Sequence, residues 1–141
     1  MSILPSLIAN AERTNKESSH QRALFCWAHD NLATYPELEW MFAVPNGGER
    51  PAPVAAAMVA EGAKDGVLDI LLPVRRAAWI GLWIELKRPE NKSLNHKAGA
   101  TSKAQKKWLA YFQSIGYGAM VCYGWEHARD MIVQYLESSD A

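Results

Sequence analysis

Cysteine is scarce in this chain, and that scarcity removes two classes of protein at once. Cys26 and Cys122 are the only two, each inside an apolar run: Leu24-Phe25-Cys26-Trp27 and Met120-Val121-Cys122-Tyr123. A zinc site needs more ligands at closer spacing, so both read as buried free thiols of a reducing cytoplasm. Net charge is also missing, because fifteen acids balance fifteen bases. A global electrostatic case for nucleic acid is therefore closed, and any such case must rest on where the bases sit. No apolar run approaches the roughly 18 residues of a membrane helix, and no basic-then-apolar signal opens the chain. A soluble, intracellular protein with no membrane partner is expected. Neither a G-x-G-x-x-G nor a P-loop pattern is present, which leaves a nucleotide-binding α/β protein without its usual support.

Apolar and aromatic residues are plentiful. Nearly half of the 141 residues are hydrophobic, with six tryptophans, enough to bury one core without staples. Helical spacing of Ala23, Leu24, Trp27, Ala28 and Leu32 predicts a helix over about 15–33, with Thr14 or Asn15 as its cap. Aromatic-rich 38–44 reads as a strand, Pro45-Asn46-Gly47-Gly48 as a turn, and alanine-rich 53–61 as a short helix stopped by Gly62. Two continuous apolar runs, 67–72 and 79–86, read as central strands joined in an antiparallel hairpin. A mobile loop over 89–101, a helix over 102–115, a strand over 117–123 and a helix over 126–136 complete an α-β-α-β-β-α-β-α order. One domain over 1–141, a mixed sheet flanked by helices, follows.

The most specific chemistry lies at the ends of the paired strands. Asp69 sits in Gly66-Val67-Leu68-Asp69-Ile70-Leu71-Leu72, and Glu85 and Lys87 in Trp83-Ile84-Glu85-Leu86-Lys87. Residues two apart on a strand share a face, so Glu85 and Lys87 point together, away from Ile84 and Leu86. Acids in strongly apolar strands are costly without a compensating ion or partner. Two acids and an amine held together make a compact site for a divalent cation and an activated water, the chemistry of phosphodiester hydrolysis.

Bases gather after that strand. Lys87, Arg88, Lys92, Lys97, Lys103, Lys106 and Lys107 are opposed there only by Glu90, so a neutral chain could still offer DNA a positive face. A solvated helix-and-loop face would read the same way. The four histidines are isolated, and each alone is a surface or packing residue.

Asp69 followed by Glu85-Leu86-Lys87 resembles the D…E-x-K core of the PD-(D/E)XK nuclease superfamily, whose core is restriction-endonuclease-like α/β. Several runs in order narrow the likeness: Gly62-Ala63-Lys64-Asp65-Gly66-Val67-Leu68-Asp69, then Ser102-Lys103-Ala104-Gln105-Lys106-Lys107-Trp108-Leu109, Gly116-Tyr117-Gly118-Ala119-Met120-Val121-Cys122 and Gly124-Trp125-Glu126-His127-Ala128. This succession, over about 17–136 within a core of about 15–136, resembles the virus-type replication-repair nuclease (VRR-NUC) domain in its stand-alone phage and prokaryotic form. Leu68 stands where family members usually carry a proline that shapes the backbone without binding metal.

The resemblance implies a metal-dependent DNA endonuclease acting as a homodimer on branched DNA such as four-way Holliday junctions. It implies Mg²⁺ or Mn²⁺ held by Glu17, Asp69, Glu85 and the backbone carbonyl of Leu86. Glu17, with Gln21 one turn later, matches a glutamate and glutamine of the family's first helix; Glu12 is a weaker competitor. Gln105 joins Asp69, Glu85 and Lys87 as catalytic, reaching the site beside Lys87. Ser102, an N-cap on first principles, Lys103 and Lys106 would meet DNA with Gln21 and Arg88. Asn46 and Arg50 belong to a turn resembling one in the stand-alone members. The alternative is a catalytically silent DNA-binding module of the same fold.

Overall fold

The computed structural model describes residues 1–45 and 50–139. In chain order these form α1 (Leu4–Thr14), α2 (Glu17–Asp30), a 3₁₀ turn over Pro36–Trp40, β1 (Phe42–Ala43) and α3 (Ala52–Ala60). Then come β2 (Ile70–Leu72), β3 (Leu82–Lys87), a 3₁₀ turn over Lys92–Leu94, α4 (Lys103–Ser114), β4 (Gly118–Tyr123) and α5 (Trp125–Leu136). Among them no helix is long and apolar enough to cross a membrane.

The sheet runs β1-β2-β3-β4. The expected hairpin is present: β2 pairs antiparallel with β3, Ile70 opposite Ile84 and Leu72 opposite Leu82. β4 then lies parallel to β3, and α4 supplies the crossover that a parallel pair requires. Every residue of β3 is buried, as a strand covered on both faces should be. Alternation divides its side chains between two cores. Leu82, Ile84 and Leu86 join α2 and α5 on one side, while Trp83 packs with Phe112 and Ala119 on the other. There Trp83 stacks on Phe112 at 4.5 Å between ring centroids, and Trp108 stacks on Phe112 at 5.5 Å. This aromatic column holds α4 against the sheet.

Four expectations are corrected. The helix expected over 15–33 is present as α2 but shorter, Glu17–Asp30, and an unexpected helix, α1, precedes it; Asn15 is left-handed (φ 51) and closes α1 instead of capping α2. α1 itself had signals, Pro5 in its first turn and Leu4, Leu7, Ile8 and Ala11 at helical spacing on the core. The strand over 38–44 shrinks to Phe42–Ala43, because Leu38 and Met41 bury at a three-residue period while Trp40 and Phe42 stay 64% and 46% exposed. The loop over 89–101 is ordered rather than mobile. Asn91 and His96 exchange backbone hydrogen bonds at 2.9 Å, and the Gly99 N–H donates to the Arg88 carbonyl at 3.0 Å. Finally, Cys122 is buried, its thiol pushed up to about 12 by desolvation, but Cys26 is only partly so.

Gly66 has φ +80, and a Cβ there would stand 2.5 Å from the Ala104 Cβ and 2.8 Å from the Gln105 backbone nitrogen. Gly66→Ala should therefore destabilise by about 1–3 kcal/mol, since backbone must move to admit the methyl. Gly62 shares a positive φ but would meet nothing within 4 Å. Gly62→Ala should cost distinctly less in thermal or urea melts, and equal costs would refute the packing argument.

Candidate active site

Continuing the β2–β3 register by one pair sets Asp69 across from Glu85. Two acids at directly opposed positions repel, and the sheet needs a compensating charge nearby. Lys87, two residues along the same face, provides one: its Nζ lies 3.3 Å from Glu85 Oε2. Glu85 is 1% exposed and Lys87 7%, so neither charge is relieved by water.

The remaining bonds are unevenly spread. Asp69 Oδ2 accepts the Leu86 N–H at 2.8 Å. Glu85 Oε2 accepts the Gln105 side-chain amide at 2.9 Å, while Glu85 Oε1 is buried with no hydrogen-bond donor among the described residues. Its neighbour Asp69 is also an acceptor, so the contact is satisfied when one carboxyl carries a proton or a cation lies between them. Burial first, then the charge and hydrogen-bonding contact of Asp69, push the Glu85 carboxyl up to about 8 against the opposing pull of Lys87.

Gln105 reaches Glu85 because its helix starts correctly. Ser102 Oγ accepts the Gln105 N–H at 3.1 Å, and Gln105 Oε1 accepts the Ser102 N–H at 2.8 Å, a capping box. One side chain thus serves the helix start with its oxygen and Glu85 with its nitrogen. Ser102 is structural here, and Lys103 and Lys106 are exposed on the same helix.

Glu17 opens α2 and lines one cleft of about 530 Å³ with Asp69, Leu86 and Gln21. Leu86 buries its side chain, so its peptide is what the cleft reaches. Partial burial raises the Glu17 pKa, Lys87 lowers it and Asp69 raises it again, so all three groups share one field. Gly99 sits between them: a Cβ there would lie 3.3 Å from Glu17 Oε1 and 3.2 Å from Lys87 Cδ. Arg88 donates to the Lys97 carbonyl at 3.0 Å, pinning this loop beside the site. Arg50 is exposed and reaches the Pro45 carbonyl at 3.4 Å. Asn46 lies outside the described residues.

Two polar residues missed by sequence reasoning brace the start of α2, where Glu17 stands. Asn15, 2% exposed, donates its amide to the Pro89 carbonyl at 2.9 Å, two residues past Lys87. Its Oδ1 is 2.9 Å from His20 Nε2, and His20 Nδ1 accepts the Trp125 N–H at 3.2 Å. Those partners assign the proton to Nε2, and burial lowers the His20 pKa, with Glu126 opposing. Glu17 is thereby tied to the end of β3. The signal was weak: a lone histidine and an asparagine read as a cap.

The donor set is oxygen-rich, which suits a hard divalent cation, and the orphaned Glu85 oxygen fits that reading. The carboxylates do not stand as a finished cage, since no three His, Cys, Asp or Glu side chains among the described residues form a ready metal cluster.

Without divalent cation, folding should take up a proton at Glu85 between the ordinary carboxylate range near 4.5 and about 8. Stability is then complete at the acid end of that window and is lost as pH rises through it, because the unfolded chain ionises first. Thermal melts in chelator should show wild type losing more of its Tm across this window than Glu85→Gln. Parallel curves would mean that Glu85 is already ionised in the fold.

No family model matches this sequence, and no curated protein matches it. Among solved structures, one described as a VRR_NUC domain protein superposes with a TM-score of 0.70 at 24% identity, covering 88% of this chain and 90% of its own. At that identity the likeness is one of architecture: the mixed four-stranded sheet and its helices are the fold of a VRR_NUC domain protein.

Proposed function

We propose that this chain is a metal-dependent DNA endonuclease of the VRR-NUC type, selective for branched DNA and working as a homodimer. The observation that carries this reading is the buried oxygen of Glu85, with no donor among the described residues, facing Asp69 with Lys87 beside it. The fold shared with a VRR_NUC domain protein supports it.

Glu17, Asp69, Glu85 and the Leu86 carbonyl would hold Mg²⁺ or Mn²⁺. Such an ion, when bound, lowers the pKa of water and draws charge from a phosphate. Everything else falls to the chain. Lys87 is held by Glu85 where its ammonium can orient the attacking water or stabilise charge developing on the phosphate. Gln105 fixes the Glu85 rotamer through an amide that is itself fixed by Ser102. Arg88, Lys103 and Lys106 offer cations to the strand. Two symmetry-related copies would supply the two cuts that a four-way junction needs.

The deciding assay compares four-way junction, flap, single-stranded and linear duplex DNA, each with Mg²⁺, Mn²⁺ and chelator. Cleavage dependent on metal and strongest on branched DNA is expected. Junction binding without cleavage in any metal would instead establish the silent module. Asp69→Asn and Glu85→Gln should abolish cutting while folding normally, and Lys87→Ala should lower kcat on the order of 10²-fold with junction affinity retained.

Glu17 is tested separately. Glu17→Gln should raise the Mn²⁺ concentration for half-maximal cleavage, with partial rescue at high metal. An unchanged titration would remove Glu17 from the ligand set.

A further inference from the structure

The cleft that holds Glu17 and Asp69 does not end at them. It continues along α2 past Gln21 to Arg22 and Phe25, with Val44 and Pro45 forming the opposite wall. Glu17, Gln21 and Phe25 follow one another at four-residue steps, so they form one stripe of the helix along the cleft. Arg22 flanks that stripe. From Glu17 to Phe25 is roughly 12 Å at the helical rise, enough for the nucleotide beside a cut and its neighbour.

The chemistry changes along this path. At one end stand carboxylates. At the other stand an exposed guanidinium and a half-buried aromatic ring. Among the described residues Arg22 has no carboxylate partner; only Arg76 with Glu37 and Arg129 with Asp130 are so paired. Phe25 packs its inner side against the core and leaves the rest to the cleft. A guanidinium with no carboxylate partner among the described residues, beside a rigid aromatic face and in line with a phosphodiester site, matches a phosphate followed by its base.

We propose that Arg22 and Phe25 form a subsite for one unpaired nucleotide next to the scissile phosphate. Arg22 holds its phosphate and Phe25 stacks on its base. This rests on the nuclease reading above and deepens it by naming the substrate feature that the site selects. A base inside a duplex has both faces covered by its neighbours, so only a splayed or frayed nucleotide can offer one to Phe25. Preference for branched DNA then comes from the local opening at the branch, within a single protomer.

The test uses the full chain and three DNAs of one sequence. These are a splayed arm, a linear duplex, and the splayed arm with an abasic nucleotide on either side of the mapped cut, or at the branch if none is cut. Anisotropy of the fluorescein-labelled DNAs in Ca²⁺ gives affinity, and cleavage in Mn²⁺ gives kcat/KM. Wild type should favour the splayed arm, and the abasic change should cost about tenfold in both readouts. Phe25→Leu, which keeps apolar bulk at the core, should lower the splayed-to-duplex ratio about tenfold and cancel the abasic penalty. Arg22→Gln, at an exposed position where folding is not at risk, should raise KM and reduce the slope of log affinity against log salt by about one.

An abasic penalty that persists in Phe25→Leu, or equal losses on all DNAs, would overturn the subsite while leaving the nuclease intact. If wild type cleaves no DNA in any metal, the nuclease reading fails. The Ca²⁺ affinities still decide the subsite in that case, because the same non-additivity must appear in binding, and its absence refutes the proposal.

Discussion

A carboxyl with almost no exposure, in the middle of a strand covered on both faces, has few ways to exist. Glu85 uses several at once: Lys87 offers charge, the Gln105 amide donates to one oxygen, and a raised pKa lets the group keep its proton. One oxygen still has no donor among the described residues. An apolar residue at this position would carry no such cost. The fold carries the penalty because the surrounding aromatic column, the parallel β3–β4 ladder and the α2–α5 layer overcompensate it. The electrostatic problem at Glu85 therefore organises its surroundings, from the start of α4 to the loop that brings Gly99 beside Lys87.

Much of this was legible from residue order because the relevant signals are local. Alternation at 82–87 predicts that Glu85 and Lys87 share a face, and Ser102 followed by Gln105 is a capping signature readable three residues apart. The failures were of two physical kinds. At 38–44 the aromatic content imitates a strand, but burial follows Leu38 and Met41, and only the fold decides which residues go inside. At 89–101 polar composition reads as freedom, whereas backbone pairing of Asn91 with His96 needs no distinctive side chains. Long-range polar contacts were beyond reach altogether. Nothing about Asn15 in the sequence announces the Pro89 carbonyl 74 positions away, and Arg22 and Phe25 gain meaning only beside a cleft.

The two faces of the sheet divide the labour. The α1–α2–α5 side is the larger core, and through Asn15 and His20 it fixes one acid from a helix. The α4 side is smaller and more aromatic, and through Gln105 it fixes Glu85, while Asp69 is held by the Leu86 N–H of the neighbouring strand. A site drawn from both layers moves whenever they shift relative to one another. The short polar links across the end of β3, including the Gly124 N–H on the Lys87 carbonyl at 2.8 Å, resist that shift.

The double employment of Gln105 has a kinetic corollary. Helix ends fray on timescales far shorter than global unfolding and at a small fraction of its free energy. When the first turn of α4 opens, the amide that closes the capping box withdraws from Glu85 in the same event, so one fluctuation undoes both. The lifetime of the Gln105–Glu85 bond is then the lifetime of a single helical turn. Hydrogen exchange at the Gln105 amide would report the fraction of molecules in which both bonds are open, well below any temperature at which the domain melts.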